Sequence, residues 1–253
     1  MEIDDRQLRE LTHKVDEQHH ENLRSLPQAL GDAHLDATGG PARRGRRRFL
    51  VGAGVGSVAA VAANALPFGL GRLAPAWAQD PGTGPSKFPS PDEKIAIAAQ
   101  ILEKTLVAAY GLIIPKLTDT TLRQTITTFQ SHHDDHATAL GKLLKQSDTD
   151  VAKVTPDPPR LAAFQSQITA AAAPNALVNI ALSAEVGAAA TYLEAISLLK
   201  VALNAGAIAT ILPVEAQHAA VLARALGRPV EEVLPDQTPT TGALDLSPYT
   251  RGA

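Results

Sequence analysis

Two stretches of this chain carry the same set of ligand-type side chains in the same order, 82 positions apart. Glu103 and Tyr110 recur as Glu185 and Tyr192, and His133 and His136 recur as Glu215 and His218. The flanks follow, with Ala137 and Leu140 matching Ala219 and Leu222. Residues three apart share a helix face, so His133 with His136, and Glu215 with His218, can point the same way. Two such helix pairs facing each other would converge Glu103, His133, His136, Glu185, Glu215 and His218 on one point. Carboxylate oxygens and imidazoles together suit Fe, Mn or Zn rather than Ca or Cu(I). Burying three carboxylates without a cation or partners would cost several kcal/mol each. One or two bound ions are therefore the expectation, with metal ions as the one kind of partner the residues indicate.

The composition narrows the chemistry further. The chain has 253 residues, no Cys, and a single Met at position 1. Thiolate zinc sites, thiol catalysis and thioether ligation of copper or haem are thereby removed. The net charge of −3 comes with no basic patch interleaved with aromatics, so nucleic acid is not an expected partner. No Gly-x-Ser-x-Gly elbow, phosphate loop or dinucleotide fingerprint occurs. No catalytic residue stands out, and no protein partner is indicated.

Helices must position these residues. Ser90-Pro91-Asp92-Glu93 is a helix start with a capping box, and apolar residues then recur from Ile95 to Ala109. A second helical pattern runs from Leu122 through Phe129, His133, His136 and Leu140 to Leu144. Prolines at 156, 158 and 159 precede a short amphipathic stretch near 160–171. Pro174 opens a third long run, about 175–203, and Asn204-Ala205-Gly206 reads as a break. The fourth helix is expected over about 207–226, with Pro213 bending it or setting its start, and with Gly227 ending it. No segment alternates as a strand. Helices one and two are joined tightly, as are three and four, while about thirty residues separate two from three. The expectation is an all-α four-helix bundle with one long crossover connection that contains a short helix.

On Leu102-Glu103 with Tyr110, His133 with His136, Glu185 with Tyr192, and Glu215-x-x-His218, residues 90–227 resemble a ferritin-like domain of the exported bacterial kind. The resemblance implies a carboxylate/histidine site for iron or manganese inside the bundle, with redox activity as one use. It also implies that Tyr110 and Tyr192 hydrogen-bond near the ligands. The family pattern has Glu at position 133, where it commonly bridges two metals, and this chain has His. Two ions, one ion, or a structural or stress-related module with no working site all remain open on that substitution. His132 with His136 is a lesser alternative pair, because the 82-position counterpart of His132 is Val214. His132, Asp134, Asp135 and Glu194 are expected to be solvated or outer groups.

The remaining segments suggest export. Arg46-Arg47-Arg48-Phe49-Leu50 resembles a twin-arginine pattern, followed by an uncharged stretch to Gly71 and by Ala76-Trp77-Ala78. A basic stretch, an apolar stretch and a small-residue cleavage site make an export signal. The expected organisation is a polar N-terminal region (1–45), a signal peptide (46–78) cleaved after Ala78, a flexible linker (79–89), the bundle (90–227) and an extended tail (228–253). The mature protein would be periplasmic or in the cell envelope, without a stable membrane span. Residues 1–45 receive no role; Ile3, Leu8, Leu11, Val15 and Leu23 mark a weak amphipathic helix there at most, and His19-His20 is expected to be solvated.

Overall fold

A computed structural model of the chain describes residues 3–37, 91–145, 154–200, 202–233 and 243–246. The signal-like segment 46–78, the linker and the capping role of Ser90 lie outside them. Six α-helices account for most of the described residues, and no strand occurs among them. They are α1 (Asp5–Ala37), α2 (Pro91–Ile113), α3 (Thr120–Lys145), α4 (Pro158–Ala170), α5 (Pro174–Leu198) and α6 (Ala202–Ala225).

Short-range chemistry sets the helix ends. Asp92 and Glu93 occupy the first turn of α2, where the N-terminal dipole favours negative charge. Pro115 stops α2 in a short 3-10 turn, Ile114–Lys116. Asp119 accepts a hydrogen bond from the Leu122 amide at 2.7 Å and so caps α3. Asp157 caps α4, and Pro158 fills its first turn. Gly227, at φ 70°, ends α6 in the left-handed conformation. There the Arg228 amide reaches back to the Ala223 carbonyl at 2.8 Å, a Schellman-type closure.

The helices form two hairpins, α2 with α3 and α5 with α6, which pack into a ferritin-like bundle. The crossover between the hairpins carries α4, which lies against α2 and α5. Small side chains on α5 (Ala181, Ala188, Ala189 and Ala190) are fully buried and allow close helix approach. Asp92 ties the start of α2 to the far turn, accepting from the Lys200 amide at 3.0 Å and from Asn204 Nδ2 at 3.1 Å.

Two expectations need correction. Asn204-Ala205-Gly206 is not a break: α6 begins at Ala202 and passes without interruption through Pro213. The turn falls earlier, after Leu198, where Leu199 leaves the helix with an extended backbone. In the N-terminal segment the amphipathic pattern does form a helix, and His20 is exposed, but His19 is buried rather than solvated. This helix is α1, which lies along α6 and α3, burying Leu8, Val15 and His19. The tail also returns to the bundle: Leu246 is buried against Ile95 and Tyr192, and the Leu244 amide donates to Thr191 Oγ1 at 2.8 Å. By length and composition, Pro91–Lys116, Pro174–Leu198 and Asn204–Ala225 could each cross a membrane. Half or more of each apolar window is instead buried inside the bundle, and each span holds a buried glutamate, Glu103, Glu185 or Glu215.

Candidate metal centre

Each bundle helix contributes to one interior cluster. Helix α2 supplies Glu103 and Tyr110, α3 supplies His133 and His136, α5 supplies Glu185 and Tyr192, and α6 supplies Glu215 and His218. A helical spacing of three or seven keeps each pair on one face. All eight side chains are buried; seven are 0 % exposed and His136 is 1 % exposed.

His133 lies at the middle. Its Nδ1 is 2.7 Å from Glu103 Oε2 and 3.7 Å from Glu215 Oε1, and its Nε2 is 3.1 Å from Glu185 Oε1. His136 Nδ1 approaches Glu215 Oε1 at 2.9 Å and Glu103 Oε1 at 3.7 Å. His218 Nδ1 lies 3.2 Å from Glu185 Oε2 and 3.7 Å from Glu215 Oε2. These contacts form two overlapping quartets: Glu103, His133, His136 and Glu215; then His133, Glu185, Glu215 and His218. Within each, one atom per residue lies within 4.8 Å of the others. Ligands bound at about 2.1 Å stand roughly 3 Å apart around an ion, so the quartets have the right scale. His133 and Glu215 belong to both. The tyrosines cross over: Tyr110 donates to Glu185, and Tyr192 donates to Glu103. Each hydroxyl thus serves the carboxylate of the opposite hairpin.

Burial and charge oppose each other throughout the cluster. Burial pushes the Glu103 carboxyl up, but the His133 charge, its hydrogen bond and His136 more than reverse this and hold it at about 2. Glu185 is likewise held well below the usual range, burial being outweighed by His133 and His218. Burial pushes His136 down, while its contacts with Glu103 and Glu215 raise it to about 9. His133 and His218 are raised against burial too, His133 by Glu215, Glu185 and Glu103, and His218 chiefly by Glu185. Burial and the neighbouring carboxylates keep both tyrosine hydroxyls protonated, as donors.

The donor set also shows what these contacts leave unused. Both oxygens of Glu215 and Nδ1 of His136 are buried without a hydrogen bond. The 2.9 Å approach between them is an ion-pair distance lacking hydrogen-bond direction. Buried polar atoms are rarely left so, and each exception calls for a cause such as an ion. Unused lone pairs on a carboxylate shared by both quartets, beside an imidazole of one of them, fit a bound cation.

Three further residues reach the cluster from outside. Of the two places expected for His132, solvated or outer, the structure gives the outer one, and the side chain is 0 % exposed. Its Nδ1 is 2.9 Å from His218 Nε2, and its Nε2 is 3.0 Å from Asp16 Oδ1 on α1. The buried His19 ring stacks on His132 with centroids 3.9 Å apart, and its Nε2 meets Asp135 Oδ2 at 3.1 Å. Asp134 is exposed, as expected. The 82-position repeat gave no signal for Asp16 and His19, because they lie outside both halves.

A helical bundle enclosing a four-helix Glu/His cluster is a ferritin-like architecture. Residues 115–228 match a family model described as "Ferritin-like domain". The match spans α3 to α6, and with them His133, His136, Glu185, Glu215 and His218. Comparison with curated proteins and with solved structures finds no match.

Proposed function

We propose that this protein binds an Fe- or Mn-type ion, with Zn as a competitor, among Glu103, His133, His136, Glu185, Glu215 and His218. The observation that carries this reading is the pair of unbonded, buried Glu215 oxygens between the two quartets. Glu103 and His136 would hold one ion position, Glu185 and His218 the other, with Glu215 serving both. Iron or manganese held by such ligands supplies redox chemistry toward oxygen or peroxide. The protein's own part is to exclude water from the cluster and to fix the carboxylates through Tyr110 and Tyr192.

His133 limits the count. A neutral imidazole offers one lone pair, so its other nitrogen keeps a proton against a carboxylate. If Nδ1 binds an ion beside Glu103, Nε2–H remains on Glu185, and the second position lacks a ligand. One ion should therefore bind more tightly than a second. Elemental analysis of purified protein should find about one ion per chain, and His133→Glu should raise the capacity to two. Equal two-ion capacity in both proteins would refute the limit, and no bound metal in either would refute the site.

A second reading rests on a different observation. His133 hydrogen-bonds both Glu103 and Glu185, each of which also receives a tyrosine hydroxyl. Those two carboxylates are satisfied without an ion, as a structural or stress-related module would require. Metal content separates the readings. The twin-arginine-like segment supports an exported protein of the periplasm or cell envelope, processed after Ala78.

A further inference from the structure

We infer that Asp16 on the N-terminal helix, acting through His132, is a positioning residue for the candidate ligand His218, so that α1 belongs to the metal centre. The inference rests on the metal-binding reading above. The chain of contacts runs from Asp16 Oδ1 to His132 Nε2 at 3.0 Å, from His132 Nδ1 to His218 Nε2 at 2.9 Å, and from His218 Nδ1 to Glu185 Oε2 at 3.2 Å.

Its direction follows from the donors available. A carboxylate only accepts, so His132 Nε2 carries the proton and donates to Asp16. A neutral His132 then has its lone pair on Nδ1, where it accepts from His218 Nε2–H. With its proton fixed on Nε2, His218 presents Nδ1 inward, toward Glu185 and Glu215. Ligating histidines commonly donate their outer N–H to such a partner, which sets ring orientation and basicity. Here the partner is a second histidine, oriented in turn by a carboxylate from another helix.

Packing holds the relay in place. Phe129 stacks on His218 with centroids 4.0 Å apart, and His19 stacks on the far face of the relay at His132. Both His19 and His132 are 0 % exposed, whereas the Asp16 side chain is 38 % exposed at the rim. The relay therefore begins at solvent and ends at a buried ligand. His20 also lies near Asp16, at 3.3 Å, but outside this line, and its side chain is 50 % exposed.

The test uses the full chain, stripped of metal and titrated with cobalt(II) against a chromophoric chelator. Asp16→Ala should weaken binding about tenfold to hundredfold, the range for lost outer partners of metal ligands. Asp16→Asn, whose amide oxygen still accepts from His132 Nε2–H, should recover most of that loss. His20→Ala should change neither affinity nor stoichiometry. A merely structural effect would appear as a fall in the melting temperature of the metal-free protein, which Asp16→Ala should leave nearly unmoved. Nitrogen-15 spectra of the metal-free wild type should show His132 protonated on Nε2, with that preference lost in Asp16→Ala. Wild-type affinity in Asp16→Ala, or His132 protonated on Nδ1, would overturn the inference while leaving the metal site standing. Loss of an ion from His20→Ala would also overturn it, because Asp16 and His132 would then be ligands of their own ion. Failure of the wild type to bind cobalt(II) would remove the metal-binding reading itself, and this inference with it.

Discussion

His133 touches carboxylates on three helices, and a proton on each of its nitrogens is what the metal-free cluster needs from it. The same is true in weaker form of His136 and His218. An imidazole raised above its ordinary 6.5 stabilises the fold fully below that value and loses the contribution as pH rises through its folded pKa. For His136 that upper limit is about 9. A depressed carboxylate behaves oppositely. Glu103, lowered from 4.5 to about 2, contributes fully above 4.5 and loses its contribution as pH falls toward 2. The metal-free protein should therefore melt highest near pH 6.5. The melting temperature declines toward pH 9 as the raised imidazoles lose their protons. It declines below 6.5 because buried His132, lowered from 6.5 to about 2, resists protonation in the fold, with Glu103 adding its own loss below 4.5. Ions compete with these protons for the same nitrogens. Affinity should rise from pH 6.5 to 9, with protons released on binding, as calorimetry in buffers of different ionisation heat would show. A melting temperature that is flat from pH 6.5 to 9 would mean that the imidazoles are neutral in the metal-free fold.

At the scale of elements, α1 is the helix whose position least resembles its composition. Its polar faces meet solvent, while Leu8, Val15 and His19 form a narrow buried seam against α3 and α6. Thr12 and Arg9 add hydroxyl and guanidinium contacts to Thr125 and Thr121 at 3.0 Å each. Val15→Asp would place an unpaired carboxylate in this seam at a cost of about 3 kcal/mol or more. The expected outcome is release of α1: faster proteolysis within residues 5–24 and weaker metal binding, with the α2–α6 helices intact by circular dichroism. The rest of the architecture was far more legible. Pro91, Pro174 and Gly227 mark helix ends by their backbone restrictions, and the 3.6-residue apolar period of α2, α3 and α5 needs no tertiary information. Leu8 and Val15 mark α1 as a weak amphipathic helix, but its docking could not be read the same way, because its seam is short, includes a histidine, and meets partners more than 100 positions away. His132 was ranked below His133 for a related reason. Its counterpart in the repeat is Val214, and a repeat shows only what both halves keep. Asn204-Ala205-Gly206 misled because local propensity favours a turn there, while packing of α6 against α5 extends the helix through it.

For the molecule as a whole, the order of segments carries a consequence for export. The signal-like residues 46–78 fall between α1 and the bundle. A pathway that carries folded proteins would accept a chain whose first helix is already docked, and cleavage after Ala78 would then cut α1 from the rest. The uncleaved protein should hold metal more tightly than the processed form, by the same margin as Asp16→Ala. Changing Arg46 and Arg47 together to lysine should leave unprocessed protein in the cytoplasm. Cell fractionation with mass spectrometry of the N-terminus would read both effects. Recovery of the chain outside the cytoplasm with residues 1–78 still attached would count against cleavage.

The crossed tyrosines reach furthest. Tyr110 gives its proton contact to Glu185, and Tyr192 gives its own to Glu103. Neither hairpin keeps the donor for its own acid. A hairpin standing alone would bury a glutamate without its hydroxyl and a hydroxyl without its glutamate, so each half is chemically incomplete by one reciprocal exchange. Such a half could be complete only beside a second copy of itself, turned by a two-fold axis. The present chain has the form of that pair made covalent, and the exchange adds one buried bond in each direction to the packing that keeps its two halves together.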